Sequence, residues 1–271
     1  MATVMVIAMD MALRTTRHNT VAYSFTDLHT HILPAFDDGA KNAEISANML
    51  RIQKTNSVDR VALTPHFYPN REELDAFLAR RQQAYDNLLT VYDNETMPLL
   101  KLGAEVRFDT ELVGLDLHQL AIGEGKYILL ELPDDGAIPC LEYVVDSIIE
   151  QGIDPVFAHI ERCAAFRHDP FRLYRLVQKG VHAQISADVF LGKKKDKFSG
   201  LCIKSGLAHV IASDVHNLMD RGPCLGEIVG TSNVDILERA ELFAGKIWNN
   251  DPLPQIEVKP IYRGFWGYYS V

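Results

Sequence analysis

The sequence is poor in the features that mark several classes of protein. It has only four cysteines in 271 residues, and none of them, Cys140, Cys163, Cys202 or Cys224, forms a C-x-x-C pair. Scattered thiols in a chain of this length argue against a disulfide-stapled miniprotein and favour a reduced, cytoplasmic protein. No apolar run is long enough to span a bilayer, so we expect no membrane span. Acidic residues outnumber basic ones by 36 to 27, and the net charge of -9 argues against nucleic acid as a partner.

The two ends of the chain differ from its centre. The start is apolar, but Arg14 and Arg17 follow the apolar stretch instead of preceding it, which is the wrong order for a secretory signal. We predict a disordered leader over residues 1–22, a single barrel domain over 23–250 and an aromatic tail over 251–271. Aromatic side chains bury large areas, so we expect the tail to pack on the barrel or on a second copy in a homo-oligomer. The alternative is that the tail enters the functional cleft.

The centre alternates between two kinds of segment. Short apolar runs rich in β-branched residues predict strands near Tyr23–Leu28, Arg60–Thr64, Leu99–Glu105, Tyr127–Glu131, Pro155–His159, Val181–Ser186 and Ala208–Ser213. Helical periodicity predicts helices at Asn42–Lys54, Arg71–Tyr92, Leu141–Gln151, Phe171–Lys179, Asp196–Ser205 and Ile236–Ile247. This alternation is typical of parallel strands with helical crossovers, and about seven units favour an α/β fold with a distorted (β/α)7-type barrel. A doubly wound open sheet is the alternative.

Histidines and carboxylates stand at the ends of these strands. They are His29 and His31, His66, Glu105, Glu131, His159, and Asp214 with His216. A lone histidine is usually a core residue, and a lone strand-end glutamate is usually a solvated cap. Those explanations would have to hold separately at six strands, whereas in a parallel barrel all strands open on one face. The pattern therefore predicts a polynuclear metal site, and imidazole and carboxylate ligands without thiolate favour manganese, iron, zinc or magnesium.

Several longer motifs resemble one known family. Asp-Leu-His-Thr-His at 27–31 and Ser-Asp-Val-His at 213–216 are similar to the first and last motifs of the PHP (polymerase and histidinol phosphatase) superfamily. The stretches at 29–39, 64–66, 103–107, 127–133, 158–162 and 211–218 resemble its bacterial tyrosine-protein phosphatases, which are encoded with capsular and exopolysaccharide assembly genes. The resemblance runs from Phe25 to Ile247, which makes it more specific than a single motif.

The resemblance implies a trinuclear centre, with manganese as the first choice of metal. His29, His31, Glu105 and Asp214 would hold one ion, a bridging Glu105 with Glu131 and His159 a second, and Asp38, His66 and His216 the third. Arg162 and Arg221 match the family's phosphate-binding arginines. Ile160 departs from the pattern, since the family usually has proline there.

The implied activity is hydrolysis of phosphotyrosine, on the tyrosine-rich tail of a bacterial tyrosine kinase, by a metal-bound hydroxide that attacks phosphorus in line. No cysteine is followed six residues later by arginine, which excludes the thiol-based tyrosine phosphatase mechanism, and no P-loop is present, which argues against a kinase. The alternatives are a small-molecule phosphatase such as histidinol-phosphate phosphatase, and a metal-holding regulator without catalytic activity.

Overall fold

The computed structural model describes residues 24–192, 196–231, 233–255, 257–264 and 269–271. Nine short strands form the centre of this part of the chain, and all of their pairings are parallel. Their bounds are β1 Phe25–Asp27, β2 Val58–Leu63, β3 His66–Phe67, β4 Leu99–Leu102, β5 Glu105–Arg107, β6 Tyr127–Glu131, β7 Asp154–Phe157, β8 His182–Ser186 and β9 Val210–Ala212. They pair in the orders β1-β2-β4 and β3-β5-β6-β7-β8-β9.

The two sheets are parts of one barrel. Strand β2 continues into β3 across Pro65, and β4 continues into β5 across Gly103 and Ala104. Pro65 has no N–H for the ladder, which interrupts the pairing there, but its carbonyl accepts a hydrogen bond of 3.0 Å from Glu105 N. The barrel closes where Thr30 pairs with Val215 in parallel. This closure confirms the distorted (β/α)7-type barrel and excludes the open sheet.

The barrel interior and its outer surface form separate apolar cores. Leu129, Val156 and Val210 from three strands meet Phe243 and Trp248 from the last helix, which packs against one end of the barrel. The neighbouring strand residues face the opposite way because side chains alternate along a strand, and they pack under the surrounding helices. The polar strand ends are therefore left at the opposite mouth of the barrel.

Eight helices within the described residues cover the barrel, at α1 Ala43–Thr55, α2 Leu74–Leu89, α3 Leu141–Glu150, α4 Ala164–His168, α5 Pro170–Gln178, α6 Ala187–Phe190, α7 Lys197–Ser205 and α8 Val234–Asn249. Local sequence sets several ends: the Asn42 side chain caps α1 by accepting from Ile45 N at 2.9 Å. All six predicted helices are present, with ends shifted by at most three residues. Helices α4 and α6 were not predicted because they are too short to show a helical period.

The chain after α8 returns along the side of the barrel. Lys259 N donates to Ser205 O at 2.9 Å. Strand β10, Tyr262–Arg263, pairs antiparallel with β11, Tyr269–Ser270. The Tyr269 ring contacts Phe171 edge-on, with centroids 5.5 Å apart, and its hydroxyl donates to His168 O at 3.3 Å.

These contacts pack the described tail residues onto the helices that cover the barrel, as expected from the sequence. Residues 265–268 and the leader at 1–22 lie outside the described residues. None of the helices in the described ranges combines the length and apolar content that crossing a membrane requires.

Candidate active site

Glu105 lies at the centre of the polar strand ends and is almost completely buried, with 1% of its surface exposed. Its Oε1 lies 2.9 Å from His159 Nε2 and 3.2 Å from His29 Nε2. Its Oε2 lies 2.9 Å from His66 Nδ1 and 3.2 Å from His31 Nε2. One carboxylate thus contacts four imidazoles from three places in the barrel: His29 and His31 follow β1, His66 begins β3, and His159 follows β7.

The other predicted donors surround this centre. Asp214 Oδ1 lies 3.3 Å from His29 Nε2. Asp38 Oδ1 lies 3.5 Å from His66 Nε2 and 3.3 Å from His216 Nε2. Glu131 Oε2 lies 3.9 Å from His66 Nδ1. All nine predicted donors are therefore gathered in one cluster, which we call the donor cluster.

The donors form three groups that differ in part from the implied ones. The groups are His29, His31 and Glu105; His66, Glu105 and Glu131; and His31, Asp38, His66 and His216. His66 faces Glu105 with one ring nitrogen and Asp38 with the other, so it belongs to two groups. His159 contacts Glu105 but does not join Glu131 in a group. Glu105 is shared by two groups, as expected of a bridging carboxylate.

The chemistry of the donor cluster fits divalent metal ions. Buried atoms without a hydrogen-bond partner include His66 Nδ1, Glu105 Oε2, Glu131 Oε2 and His216 Nε2. His29 Nε2 and His31 Nε2 lie 3.2 Å apart. A neutral imidazole carries only one N–H, so each of these rings has one nitrogen whose lone pair can bind a metal ion. Two ligands at about 2.1 Å from one ion stand roughly 3 Å apart, which matches these separations.

Electrostatics keep the central carboxylates ionised. Burial alone would raise the pKa of Glu105, but the imidazoles of His29 and His159 lower it well below its usual range. The pKa of Asp214 is likewise lowered, because His29 and Arg162 outweigh the effect of burial. The pKa of His31 is raised well above its usual value despite burial, by its hydrogen bond to Asp37 and by the nearby negative charge of Glu105. A metal ion must displace such protons, so metal binding should weaken as the pH falls.

The backbone is shaped to bring the donors together. His159 and Asp214 have positive φ angles of 28° and 55°, which non-glycine residues rarely adopt outside constrained sites. Gly39 lies so close to His31 that an added Cβ would stand 1.9 Å from the His31 carbonyl oxygen. The glycine of the Asp-Asp-Gly sequence is therefore required for the loop to lie against His31 and present Asp38.

Two residues that support the ligands were not predicted. Asp37 Oδ2 accepts from His31 Nδ1 at 2.8 Å, next to the predicted donor Asp38. Gln184 Oε1 lies 3.3 Å from His29 Nδ1 and accepts from His159 N at 2.7 Å. The signal for Gln184 was a polar residue in the middle of the apolar sixth predicted strand. The signal for Asp37 was the doubled aspartate, which did not tell which carboxylate faces the metals.

Both predicted arginines reach the donor cluster. Arg162 and Arg221 each donate to Asp214 Oδ2, the latter at 2.9 Å. Arg221 Nη1 also lies 3.7 Å from Asp38 Oδ2. Ile160, which departs from the family pattern, is fully buried and begins the 3₁₀ turn Ile160–Arg162 that carries Arg162. The two guanidinium groups therefore line the same carboxylate from different loops.

Comparisons with known proteins show the family of this chain. Residues 25–236 match the family described as capsular polysaccharide synthesis, CpsB/CapC. The tyrosine-protein phosphatase YwqE of Bacillus subtilis is 36% identical over 207 residues, covering 72% of this chain and 78% of that protein. The tyrosine-protein phosphatase CpsB of Streptococcus pneumoniae is 28% identical over 216 residues, covering 73% and 85%.

The fold also matches a solved structure. It comes from work on YwqE of Bacillus subtilis and CpsB of Streptococcus pneumoniae, described as unique metal-dependent tyrosine phosphatases. The TM-score is 0.75 at 27% identity, covering 88% of this chain and all of that one. By sequence and by fold, this chain belongs to the capsular polysaccharide synthesis family CpsB/CapC.

Proposed function

We propose that this chain is a metal-dependent phosphomonoesterase that removes phosphate from phosphotyrosine in a protein substrate. The observation that carries the proposal is the burial of Glu105 among four imidazoles, with Asp214 and two arginines beside it. Family membership adds support, because the relatives YwqE and CpsB carry the name tyrosine-protein phosphatase.

Two or three manganese ions would occupy the donor cluster, with iron, zinc or magnesium as other choices. The ligands would be His29, His31, Asp38, His66, Glu105, Glu131, His159, Asp214 and His216. When bound, the ions would supply an acidified water and positive charge for the phosphate oxygens. Their charge also explains how an acidic protein would attract a phosphate dianion.

The arginines would bind the phosphate. Arg162 and Arg221 both contact Asp214 Oδ2, so a phosphate arriving there would find two planar guanidinium groups already directed at one point. Their donors would orient the phosphorus and stabilise charge on its oxygens in the transition state. Asp214 would keep both groups in place before the substrate binds.

The family description supports a proposal about the cellular setting. Its description concerns capsular polysaccharide synthesis, which supports a role in capsule or exopolysaccharide assembly. We infer that the substrate is the tyrosine-rich tail of a bacterial tyrosine kinase and that the reaction takes place in the cytoplasm. No disulfide joins the four cysteines, all of which lie in the described residues, and this supports a reducing compartment. A homo-oligomer would be compatible with the exposed tail residue Tyr262.

Hydrolysis of a phosphotyrosine peptide and of histidinol phosphate, compared with added manganese, would test the proposal. We expect faster turnover of the peptide, loss of activity with chelator, and restoration by manganese. Cys140→Ser serves as a control, since a metal-dependent route should not need this exposed thiol. Preference for histidinol phosphate would indicate the small-molecule alternative, and metal binding without turnover of either substrate would indicate a regulator.

A further inference from the structure

A cavity of about 480 Å³ opens beside the donor cluster. Asp38, His66, Tyr68 and Arg71 are among the residues that line it. Because Asp38 and His66 belong to one of the donor groups, a phosphoester bound at the cluster would place its leaving group next to this cavity.

Tyr68 forms an aromatic wall of the cavity. Its ring is half-buried, with its centroid 5.4 Å from that of His66, and the two planes differ by 35°. The pKa of its phenol is raised, first by burial and then by the nearby carboxylates Glu131 and Glu105. The ring therefore lies at the edge of the donor cluster, where it can make an aromatic contact with an aryl leaving group.

The two arginines of the cavity differ in their availability. Arg80 is held by Glu72 through contacts of 2.9 and 2.8 Å, and it donates to Phe36 O at 2.9 Å. Arg71 is exposed, and its guanidinium carbon lies 4.7 Å from the Tyr68 ring centroid. Within the described ranges of the chain, no carboxylate forms an ion pair with Arg71. Its positive charge is thus available to a ligand in a protein whose net charge is -9.

From these observations we propose that the cavity is a specificity subsite for phosphotyrosine followed or preceded by an acidic residue. Tyr68 contacts the ring of the phosphotyrosine, and Arg71 pairs with a glutamate or aspartate adjacent to it in the substrate. Phosphoserine offers no ring to this wall, so the subsite favours aryl phosphates. This inference rests on the proposed function and adds the part of the substrate beyond the phosphate.

The contact between Tyr68 and the phosphotyrosine ring is tested with Tyr68→Ala, and Tyr68→Phe is the matched control that keeps the ring. Substrates are a phosphotyrosine peptide and glycerol phosphate, which has no ring. We expect Tyr68→Ala to raise KM for the peptide by about two- to tenfold, the range of an aromatic pair, and to leave KM for glycerol phosphate unchanged. Tyr68→Phe should stay near wild type with both.

The ion pair between Arg71 and an acidic substrate residue is tested with two peptides. They differ only in having glutamate or glutamine next to the phosphotyrosine. Wild type should prefer the glutamate peptide by about two- to fivefold in kcat/KM, as expected of an exposed ion pair, and the preference should shrink at high salt. Arg71→Ala should abolish the preference and Arg71→Glu should invert it. Arg51→Glu, which changes the net charge equally but does not line the cavity, should keep it.

Different results separate this inference from the proposed function. The subsite alone is overturned if the wild type hydrolyses phosphotyrosine peptide but two quantities stay unchanged. These are the ratio of KM for the peptide to KM for glycerol phosphate in Tyr68→Ala, and the preference for the glutamate peptide in Arg71→Glu. Wild type that hydrolyses no phosphotyrosine peptide would overturn both. If Tyr68→Ala fails to fold, as judged by its melting curve, the exposed Arg71→Glu variant decides the matter by itself.

Discussion

Replacing Asp37 by asparagine should weaken metal binding, although Asp37 is not among the nine predicted donors. Its Oδ2 accepts from His31 Nδ1 at 2.8 Å and from His66 N at 3.1 Å, while Oδ1 accepts from Gly39 N at 3.0 Å. The carboxylate thereby holds His31 with Nε2 directed at Glu105. It also fastens the Asp-Asp-Gly loop to two segments that carry donors.

The size of the effect follows from these three hydrogen bonds. Asparagine has one carbonyl oxygen and one NH₂ group, so one of the two acceptor positions would become a donor facing a donor. Leaving a buried donor without its acceptor costs about 1–3 kcal/mol. Removing a group that orients a metal ligand lowers metal affinity about 10- to 100-fold, or about 1.4–2.7 kcal/mol. The two ranges agree, so we expect the manganese Kd to rise by about 10- to 100-fold.

The assay is titration of metal-free protein with manganese against a competing chelator. Asp93→Asn is the matched control, because Asp93 is an exposed turn carboxylate that accepts from Glu95 N at 3.0 Å. The control should bind manganese as tightly as wild type. A manganese affinity within twofold of wild type for Asp37→Asn would refute the role assigned to this carboxylate.

Four further predictions concern the site and the stability of the fold. Glu105→Gln should remove at least one ion per chain by metal analysis and lower turnover roughly hundredfold; full metal content with normal turnover would contradict the bridging role. Arg221→Ala should keep its metal but lose about 10²- to 10³-fold in kcat, with only partial recovery in Arg221→Lys, and unchanged kinetics would speak against a phosphate contact. Burial lowers the pKa of His209 from 6.5 to about 3. Between these two pH values the unfolded chain takes up a proton that the folded chain excludes, so the free energy of unfolding falls as the pH drops. In His209→Asn, urea unfolding should show a pH slope smaller by about 1.4 kcal/mol per pH unit between roughly pH 6 and pH 4, whereas identical slopes would refute this assignment. Ending the chain after Asp251 should lower the melting temperature and leave KM unchanged, because Tyr269 packs on Phe171; a lower KM with an unchanged melting temperature would instead mean that the tail occupies the cleft.

The barrel was predictable because each of its units is encoded locally. The run Tyr127–Glu131 has the same bounds in the sequence prediction and in the structure, since a buried parallel strand is apolar along its whole length. The run Leu99–Glu105 is instead divided at Gly103 and Ala104, and Pro65 interrupts the strand before it. At these breaks the strand pairing passes from the three-stranded sheet to the six-stranded sheet. The positions of the breaks depend on contacts with neighbouring strands, which a local sequence pattern does not contain.

Asp38 lies in a loop, and only the family resemblance implied it as a donor. The donors at strand ends were foreseeable as a set, because parallel strands end at the same mouth and His29, Glu105 and Asp214 each stand at such an end. Their partners were not. Whether Asp37 or Asp38 turns towards His31 depends on the close approach of Gly39 to the His31 backbone, a contact made only in the folded loop. Gln184 supports His29 across the barrel, over a separation of 155 residues in the chain. Periodicity and strand ends therefore specify which residues meet, whereas the paths of the loops decide which atoms face one another, because a hydrogen bond depends on distances of tenths of an ångström that only tertiary packing sets.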